Sequence, residues 1–364
     1  MVVGIPKEIK DQEHRVALLP SGAYQLSKRH TVFIEKNAGA GIGFSDQDYE
    51  RAGAHIVNSH EEVFARAELI VKVKEPLASE TPLLTKKHIL FTYLHLAASR
   101  SLTEALMASG VASIAYESVE VNRRLPLLEP MSEIAGKMSV LVGGYFLAKQ
   151  CGGPGVLLGG VPGVLPGRVV VIGGGTAGVN AARMAAGLGA EVTILEVDLE
   201  RMRFLDIMMD ASTLYSNPSS LMDLLPSTDL LIGAVLVPGA RAPKLLTREM
   251  LGLMRPDSVF VDIAIDQGGC AETSRPTTHA QPVYTEEGVV HYCVANMPGA
   301  YARTATQALT NATFPYVENL ADLGLEGACR YRPQLASGVN TWAGQLNNQA
   351  VAEAHQLPWT EFKV

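Results

Sequence analysis

The chain has 364 residues, 47% of them apolar and 18% charged, with a net charge of −7. A chain this long and this apolar can bury more than one core, which excludes a disordered protein and predicts two domains of ordinary size. With a negative balance and no basic run, nucleic acid and anionic membranes are poor partners.

Four scattered cysteines (Cys151, Cys270, Cys293, Cys329) lack CxxC spacing. Neither a disulfide framework nor a structural zinc is expected, no other metal site is read, and a reducing, cytoplasmic setting fits. The opening MVVGIPKEIK has too short an apolar run for a signal peptide.

Taken in chain order, the first 130 residues alternate short β-rich runs with amphipathic stretches. Strands are predicted at Val2–Pro6, Thr31–Glu35, Leu69–Lys74, Ile89–His95 and Ala112–Glu117, and helices at Gly22–Arg29, Asp46–Ala52 and Ser101–Ala108. This is the βαβ rhythm of an α/β fold with a parallel sheet. Met131–Gln150 reads as one long buried helix. Gln150 to Gly167 then carries no charge over 18 residues, but seven are Gly and three are Pro, so it is a loop rather than a membrane span.

A second βαβ series starts with the apolar run Arg168–Gly173. It continues through a helix at Ala177–Leu188 and strands at Glu191–Glu196, Leu230–Val235, Ser258–Ala264 and Val289–Ala295, with a weaker one at Thr213–Ser216. The tail after Asn296 is mainly helical, with Asp322–Arg332 hard to assign.

Glycine is crowded: 16 of the 34 glycines lie between Gly136 and Gly189, where even spacing would put about five. Within that stretch Gly173, Gly175 and Gly178 form G-x-G-x-x-G between an apolar strand and a helix, and the next strand ends on Glu196. In that context the motif is a dinucleotide fingerprint. Gly173 permits the tight turn, Gly175 lets backbone approach a pyrophosphate, and Gly178 lets helix and strand pack closely. The helix start offers unpaired N–H groups to phosphate. A carboxylate at Glu196 suits ribose hydroxyls and repels a 2′-phosphate, favouring NAD over NADP, although Arg201 and Arg203 lie nearby.

Ligands of open α/β sheets bind beyond the carboxyl ends of the strands. Polar residues at such positions are Lys74 and His95 in the first half and Asp266 in the second, with Arg15 in the loop after the first strand. Each has a plainer reading: a solvated strand end for Lys74, a core histidine for His95, a turn cap for Asp266, a surface arginine for Arg15. Their shared placement beside a dinucleotide fingerprint favours function. Arg15 and Lys74 suit a substrate carboxylate, and His95 suits proton transfer near neutral pH.

These residues sit in longer stretches: GIPKEIKDQEHRVALLP (Gly4–Pro20), VKVKEP (Val71–Pro76), FTYLHLA (Phe91–Ala97), EPMSEIAGKMSV (Glu129–Val140), GVLLGGVPGV (Gly155–Val164), VDIAIDQGGC (Val261–Cys270) and HYCVANMPGA (His291–Ala300). Through them the chain resembles the alanine dehydrogenase/transhydrogenase family, on its alanine dehydrogenase side, from about Val3 to Pro358.

The resemblance implies two Rossmann-like doubly wound parallel-sheet domains bridged by long helices, with a cleft between them. It assigns residues 1–129 plus 305–364 to a substrate domain and 130–304 to an NAD-binding domain. It implies an oxidoreductase acting on CH–NH2 that interconverts L-alanine, NAD+ and water with pyruvate, ammonium and NADH, and a homohexamer. Arg15 and Lys74 would hold substrate, with His95 and Asp266 as catalytic groups. The nucleotide would meet Ser132, the fingerprint with Thr176 and Ala177, Glu196, Arg201, Ser216, Val235, Leu236, Ile263, Asp266, Val294, Ala295, Asn296 and Met297.

This chain departs from the family pattern in having Glu196 where Asp is usual and a shorter segment between Arg201 and Ser216, which could weaken the third strand of the NAD domain. Two alternatives stay open: a nucleotide-binding subunit of a membrane transhydrogenase, and a non-catalytic NAD-binding module.

Overall fold

The computed structural model describes residues 1–237 and 241–363. Its contacts divide the chain into two compact units. One holds Met1–Met131 and the residues from Tyr301 onward; the other holds Ser132–Val237 and Arg241–Ala300.

Fifteen strands are found among the described residues. They are β1 (Val2–Ile5), β2 (Thr31–Glu35), β3 (His55–Val57), β4 (Leu69–Val71), β5 (Ile89–Thr92), β6 (Ala112–Ala115), β7 (Arg168–Ile172), β8 (Glu191–Glu196), β9 (Ser212–Tyr215), β10 (Leu230–Gly233), β11 (Val259–Asp262), β12 (Val283–Glu286), β13 (Val289–Tyr292), β14 (Val339–Trp342) and β15 (Gln345–Leu346).

In the first unit the order is β15-β14-β6-β5-β4-β1-β2-β3, and β1 to β6 all pair in parallel. In the second it is β12-β13-β11-β10-β7-β8-β9, parallel except for β12. Each sheet therefore has its order reversal beside its first strand, between β1 and β4 and between β7 and β10. That is the doubly wound α/β arrangement, whose ligands lie outside the carboxyl ends of the strands at the reversal.

The apolar run RVVVI of β7 shows why the second sheet is covered on both faces. Val169 and Val171 join one core and Val170 and Ile172 another, and all four are buried. Strands buried on both sides have no polar face to alternate with.

Several expected boundaries shift. The runs read as strands to Lys74 and His95 end at Val71 and Thr92. Lys72 and Tyr93 N–H still reach Phe91 and Val73 carbonyls, and only beyond them do the backbone donors turn to carboxylates: Val73 and Lys74 N–H to Glu8, and Leu94 and His95 N–H to Glu117. The predicted helix Met131–Gln150 spans Glu129–Phe146. The hard-to-assign Asp322–Arg332 falls, up to Tyr331, in the helix Ala302–Tyr331, which is broken at Gly324 by a left-handed φ of 68°. The third strand of the second unit forms despite the short segment before it, since β9 pairs with β8 over four residues. No helix among the described residues is long and apolar enough to cross a membrane.

Candidate active site

In the first unit the sequence candidates gather where the loops after β1, β4 and β5 leave the sheet. Arg15 is 3% exposed, so it is no surface arginine. Its guanidinium forks onto Glu13, Nε to Oε1 at 2.7 Å and Nη2 to Oε2 at 2.6 Å, while Nη1 points at the Met131 sulfur at 3.1 Å. Burial works against the Arg15 charge, but the hydrogen bonds and charge of Glu13 outweigh it and the guanidinium is held more firmly protonated. The bidentate grip fixes one edge of the planar group and so aims the rest.

Lys74 is also buried, at 4% exposed, which removes the solvated strand end as its explanation. Its Nζ lies 3.6 Å from Glu75 Oε2. Burial alone would raise the Glu75 carboxyl, but the positive charges of Lys74, Lys10 and His95 bring it down to about 2. Glu75 is therefore an anion that senses both Lys74 and His95. The Lys74 backbone is pinned on both sides: its N–H points at Glu8 and its carbonyl accepts from Thr92 Oγ1 at 2.9 Å.

His95 is only partly buried and has left-handed backbone angles, φ 49° and ψ 37°. That conformation is uncommon for a non-glycine residue and is held here by its N–H to Glu117 at 2.7 Å. Its ring stacks on Tyr93 at 5.9 Å and 13°. Tyr93, whose hydroxyl donates to Leu127 O, is deprotonated less readily because it is buried, an effect the nearby Arg15 charge partly offsets. Arg15, Tyr93, His95, Glu75 and Lys74 thus form one connected group.

In the second unit the fingerprint has the geometry that its three glycines require. Gly173 has φ 101°, and a Cβ there would stand 2.7 Å from Ala234 O. A Cβ on Gly178 would collide with the Gly173 carbonyl oxygen, whereas one on Gly175 would meet nothing within 4 Å. The protein therefore leaves open space over Gly175, at the start of the helix Thr176–Gly187, with Thr176 and Ala177 as its first two residues. A dinucleotide pyrophosphate fits that cradle, with helix N–H groups aimed at it.

Glu196 is more tightly engaged than its sequence position suggests. Oε2 accepts from Gly174 N–H at 2.8 Å, and Oε1 from Val197 and Asp198 N–H at 2.6 and 3.0 Å. Arg201 Nε donates to Gly174 O at 2.7 Å, and Ser216 N–H to Glu196 O at 2.9 Å. Val235 and Leu236 follow β10, next to the Gly173 turn. Ser132 lies one turn before Gly136 on its helix, and a Cβ on Gly136 would run into Ala177 O, so that face lies on the start of the fingerprint helix.

Asp266 is exposed within the turn Ile263–Gln267, which starts one residue past β11, and its Oδ1 accepts from Asn296 N–H at 3.3 Å. Ile263 begins the same turn. Val294 to Met297 follow β13, with Asn296 left-handed at φ 69°.

Sequence reasoning passed over the carboxylates that hold these groups: Glu8, Glu13, Glu75 and Glu117 in the first unit, and Asp262 in the second. Asp262 is fully buried and accepts from Ala264 and Cys270 N–H and from Ser274 Oγ, which shapes the loop carrying Asp266. Only the charge-rich KEIKDQEHR hinted at such a role, for Glu8 and Glu13.

Comparison with known proteins places this arrangement. Residues 4–135 match the N-terminal and residues 139–349 the C-terminal domain model of alanine dehydrogenase/PNT. Alanine dehydrogenases of Halomonas elongata and Mycolicibacterium smegmatis are 55% and 53% identical to it, each over 99% of this chain and 98% of theirs. A solved L-alanine dehydrogenase superposes with a TM-score of 0.92 at 54% identity, covering 98% of this chain and 99% of its own. A transhydrogenase structure from Sinorhizobium meliloti shares the fold, with a TM-score of 0.80 at 24% identity over 96% of this chain and all of its own. With both domain models matched in order, and both sheets wound as the sequence predicts, the chain belongs to the alanine dehydrogenase/PNT family.

Proposed function

We propose that the protein is an NAD-dependent alanine dehydrogenase, converting L-alanine, NAD+ and water to pyruvate, ammonium, NADH and a proton, and running in reverse. The observation that carries this reading is the match to a solved L-alanine dehydrogenase at a TM-score of 0.92 and 54% identity. NAD would be held by Gly173, Gly175 and Gly178, the first turn of the helix at Thr176 and Ala177, Glu196, Arg201, Ser216, Ser132, Val235, Leu236, Ile263, Asp266 and Val294 to Met297. When bound it supplies the acceptor for the hydride.

The remaining work falls to the chain's own side chains. Arg15, aimed by Glu13, receives the substrate carboxylate as a fork, and Lys74 adds a second positive charge. Once Cα has lost its hydride the substrate is an imine, and Asp266 and His95 orient the water that adds to it. His95 then moves a proton as the carbinolamine collapses to pyruvate and ammonia. Glu75 stays anionic beside Lys74 and His95. In the amination direction the same groups bind pyruvate and protonate the departing oxygen.

A homohexamer and a cytoplasmic setting are the partner and location this reading implies, with small molecules as the other ligands. The test is oxidation of NADH by the purified protein with pyruvate and ammonium, followed by absorbance. Consumption that needs both co-substrates supports the reading. NADH binding without amination would instead leave a nucleotide-binding module.

A further inference from the structure

Five charged side chains of the first unit form a closed circuit at the carboxyl edge of its sheet. Lys7 N–H donates to Glu35 Oε2 at 2.7 Å, and the same oxygen lies 2.8 Å from His60 Nδ1. His60 Nε2 lies 2.9 Å from Glu80 Oε1, which is also 2.7 Å from Lys72 Nζ. Lys72 Nζ then donates to Glu8 Oε2 at 3.1 Å. Glu8 follows Lys7, so the circuit closes on the loop from which it began. The side chains are between 0% and 14% exposed. The second Glu8 oxygen carries the load: it accepts the N–H of Val73 at 2.6 Å and of Lys74 at 3.3 Å.

The donor count fixes the proton on His60. Both ring nitrogens face carboxylate oxygens, which only accept. A neutral imidazole has one N–H and would turn a lone pair toward the other carboxylate; the imidazolium donates to both. Glu35 from the end of β2 and Glu80 from the turn after β4 are the charged groups facing the ring. Lys72 lies beyond Glu80, Glu61 is next on the helix His60–Arg66, and the Phe64 ring packs at 5.0 Å. Burial disfavours the charge, yet the two carboxylates hold the imidazolium up to about 9.

We propose that His60 is a positioning residue for substrate binding, its imidazolium completing the circuit that fixes the Lys74 backbone, so that losing this proton weakens the hold on the substrate carboxylate. The inference rests on the reading of Lys74 as a substrate cation. With His60 neutral, the ring has one N–H for Glu35 and Glu80 together, and Glu80 draws harder on Lys72. The ammonium is then pulled from Glu8, whose other oxygen holds Lys74.

The experiment titrates pyruvate into the full-length protein with NADH and no ammonium, followed by NADH fluorescence from about pH 7 to about pH 10. Pyruvate keeps one charge over that range. The wild type is expected to lose about tenfold in pyruvate affinity through a step centred near pH 9. His60→Gln should bind weakly throughout and lack that step. Glu35→Gln, which keeps one carboxylate on the ring, should move the step to lower pH. If His60→Gln does not fold, Glu35→Gln carries the test alone. A step that survives in His60→Gln, a midpoint unmoved in Glu35→Gln, or a wild-type affinity independent of pH would overturn the inference. If the wild type aminates pyruvate at neutral pH, any of those results leaves the proposed activity standing. If it neither binds nor aminates pyruvate, the activity falls, and this role with it.

Discussion

Two glycines three residues apart make opposite predictions, and the contrast tests the nucleotide cradle. Gly175→Ala places a methyl group in space that the protein leaves open, with nothing within 4 Å. Its backbone, φ −70° and ψ −170°, suits alanine. Reduced freedom of the unfolded chain would stabilise by about 0.4–1 kcal/mol. Gly175 also precedes the helix Thr176–Gly187, where alanine caps less well than glycine by roughly the same amount. The two terms cancel, so the melting temperature should stay within about 2–4 °C of wild type. NADH affinity should fall by about tenfold or more, because losing one charge-assisted hydrogen bond costs about 1.5–3 kcal/mol.

Gly178→Ala drives its methyl into the Gly173 carbonyl oxygen and within 3.3 Å of Val171 Cγ1. Neither can retreat from a packed strand, so about 1–3 kcal/mol or more of stability should be lost. Thermal unfolding and NADH fluorescence titration, run on both variants, separate the effects. If Gly175→Ala binds NADH as tightly as the wild type, the open space is not the pyrophosphate site and the reasoning fails.

Other outcomes follow from the first unit. His95→Ala should lower amination kcat by about a hundredfold or more while leaving NADH affinity near wild type; equal losses in both would mark a structural histidine. Arg15→Lys cannot span both Glu13 oxygens as the fork does, so the pyruvate KM should rise by about tenfold; an unchanged KM would remove Arg15 from the carboxylate site. For His60, raised from 6.5 to about 9 in the fold, the stabilisation is fully present below pH 6.5 and is lost as pH rises through 9. Unfolding by urea across that window should show a decline that His60→Gln lacks. For Glu75, lowered from 4.5 to about 2, the sign is opposite: stabilisation is present above 4.5 and lost as pH falls toward 2. Glu75→Gln should flatten the acid limb of the same measurement.

The sequence made the second unit legible because its signals are local. An apolar strand, three spaced glycines and a helix follow one another without interruption, with Gly173 and Gly178 hard against backbone and Gly175 facing open space. The first unit was harder to read, because what shapes it is long-range. Glu8 meets Val73 from 65 residues away, and His60 meets Glu35 and Glu80 from 25 and 20. No periodicity carries such pairings. The strand His55–Val57 and the helix His60–Arg66 were missed altogether. Three and seven residues are too short to show a repeat, and they form because neighbours support them.

The pair Lys72 and Lys74 shows where pattern reading gives way to physics. In VKVKEP the lysines alternate with valines, and a period of two reads as one buried and one solvated face. The strand ends at Val71, however, and both lysines are buried. What separates them is the satisfaction of their charges. Lys72 lies between Glu8 and Glu80 at 3.1 and 2.7 Å, which outweighs its burial and raises its pKa. Lys74 has Glu75 at 3.6 Å, and Glu75 is shared with Lys10 at 2.5 Å. A buried ammonium held by two close carboxylates has little attraction left for an incoming anion, whereas one at the end of a longer, shared pair has more. Lys72 therefore maintains the framework, and the looser pairing of Lys74 supports the proposal that it is the substrate cation. Lys74→Met should accordingly weaken pyruvate binding while the fold persists, and Lys72→Met, by leaving buried Glu8 without its cation and Glu80 with His60 alone, should cost the fold itself.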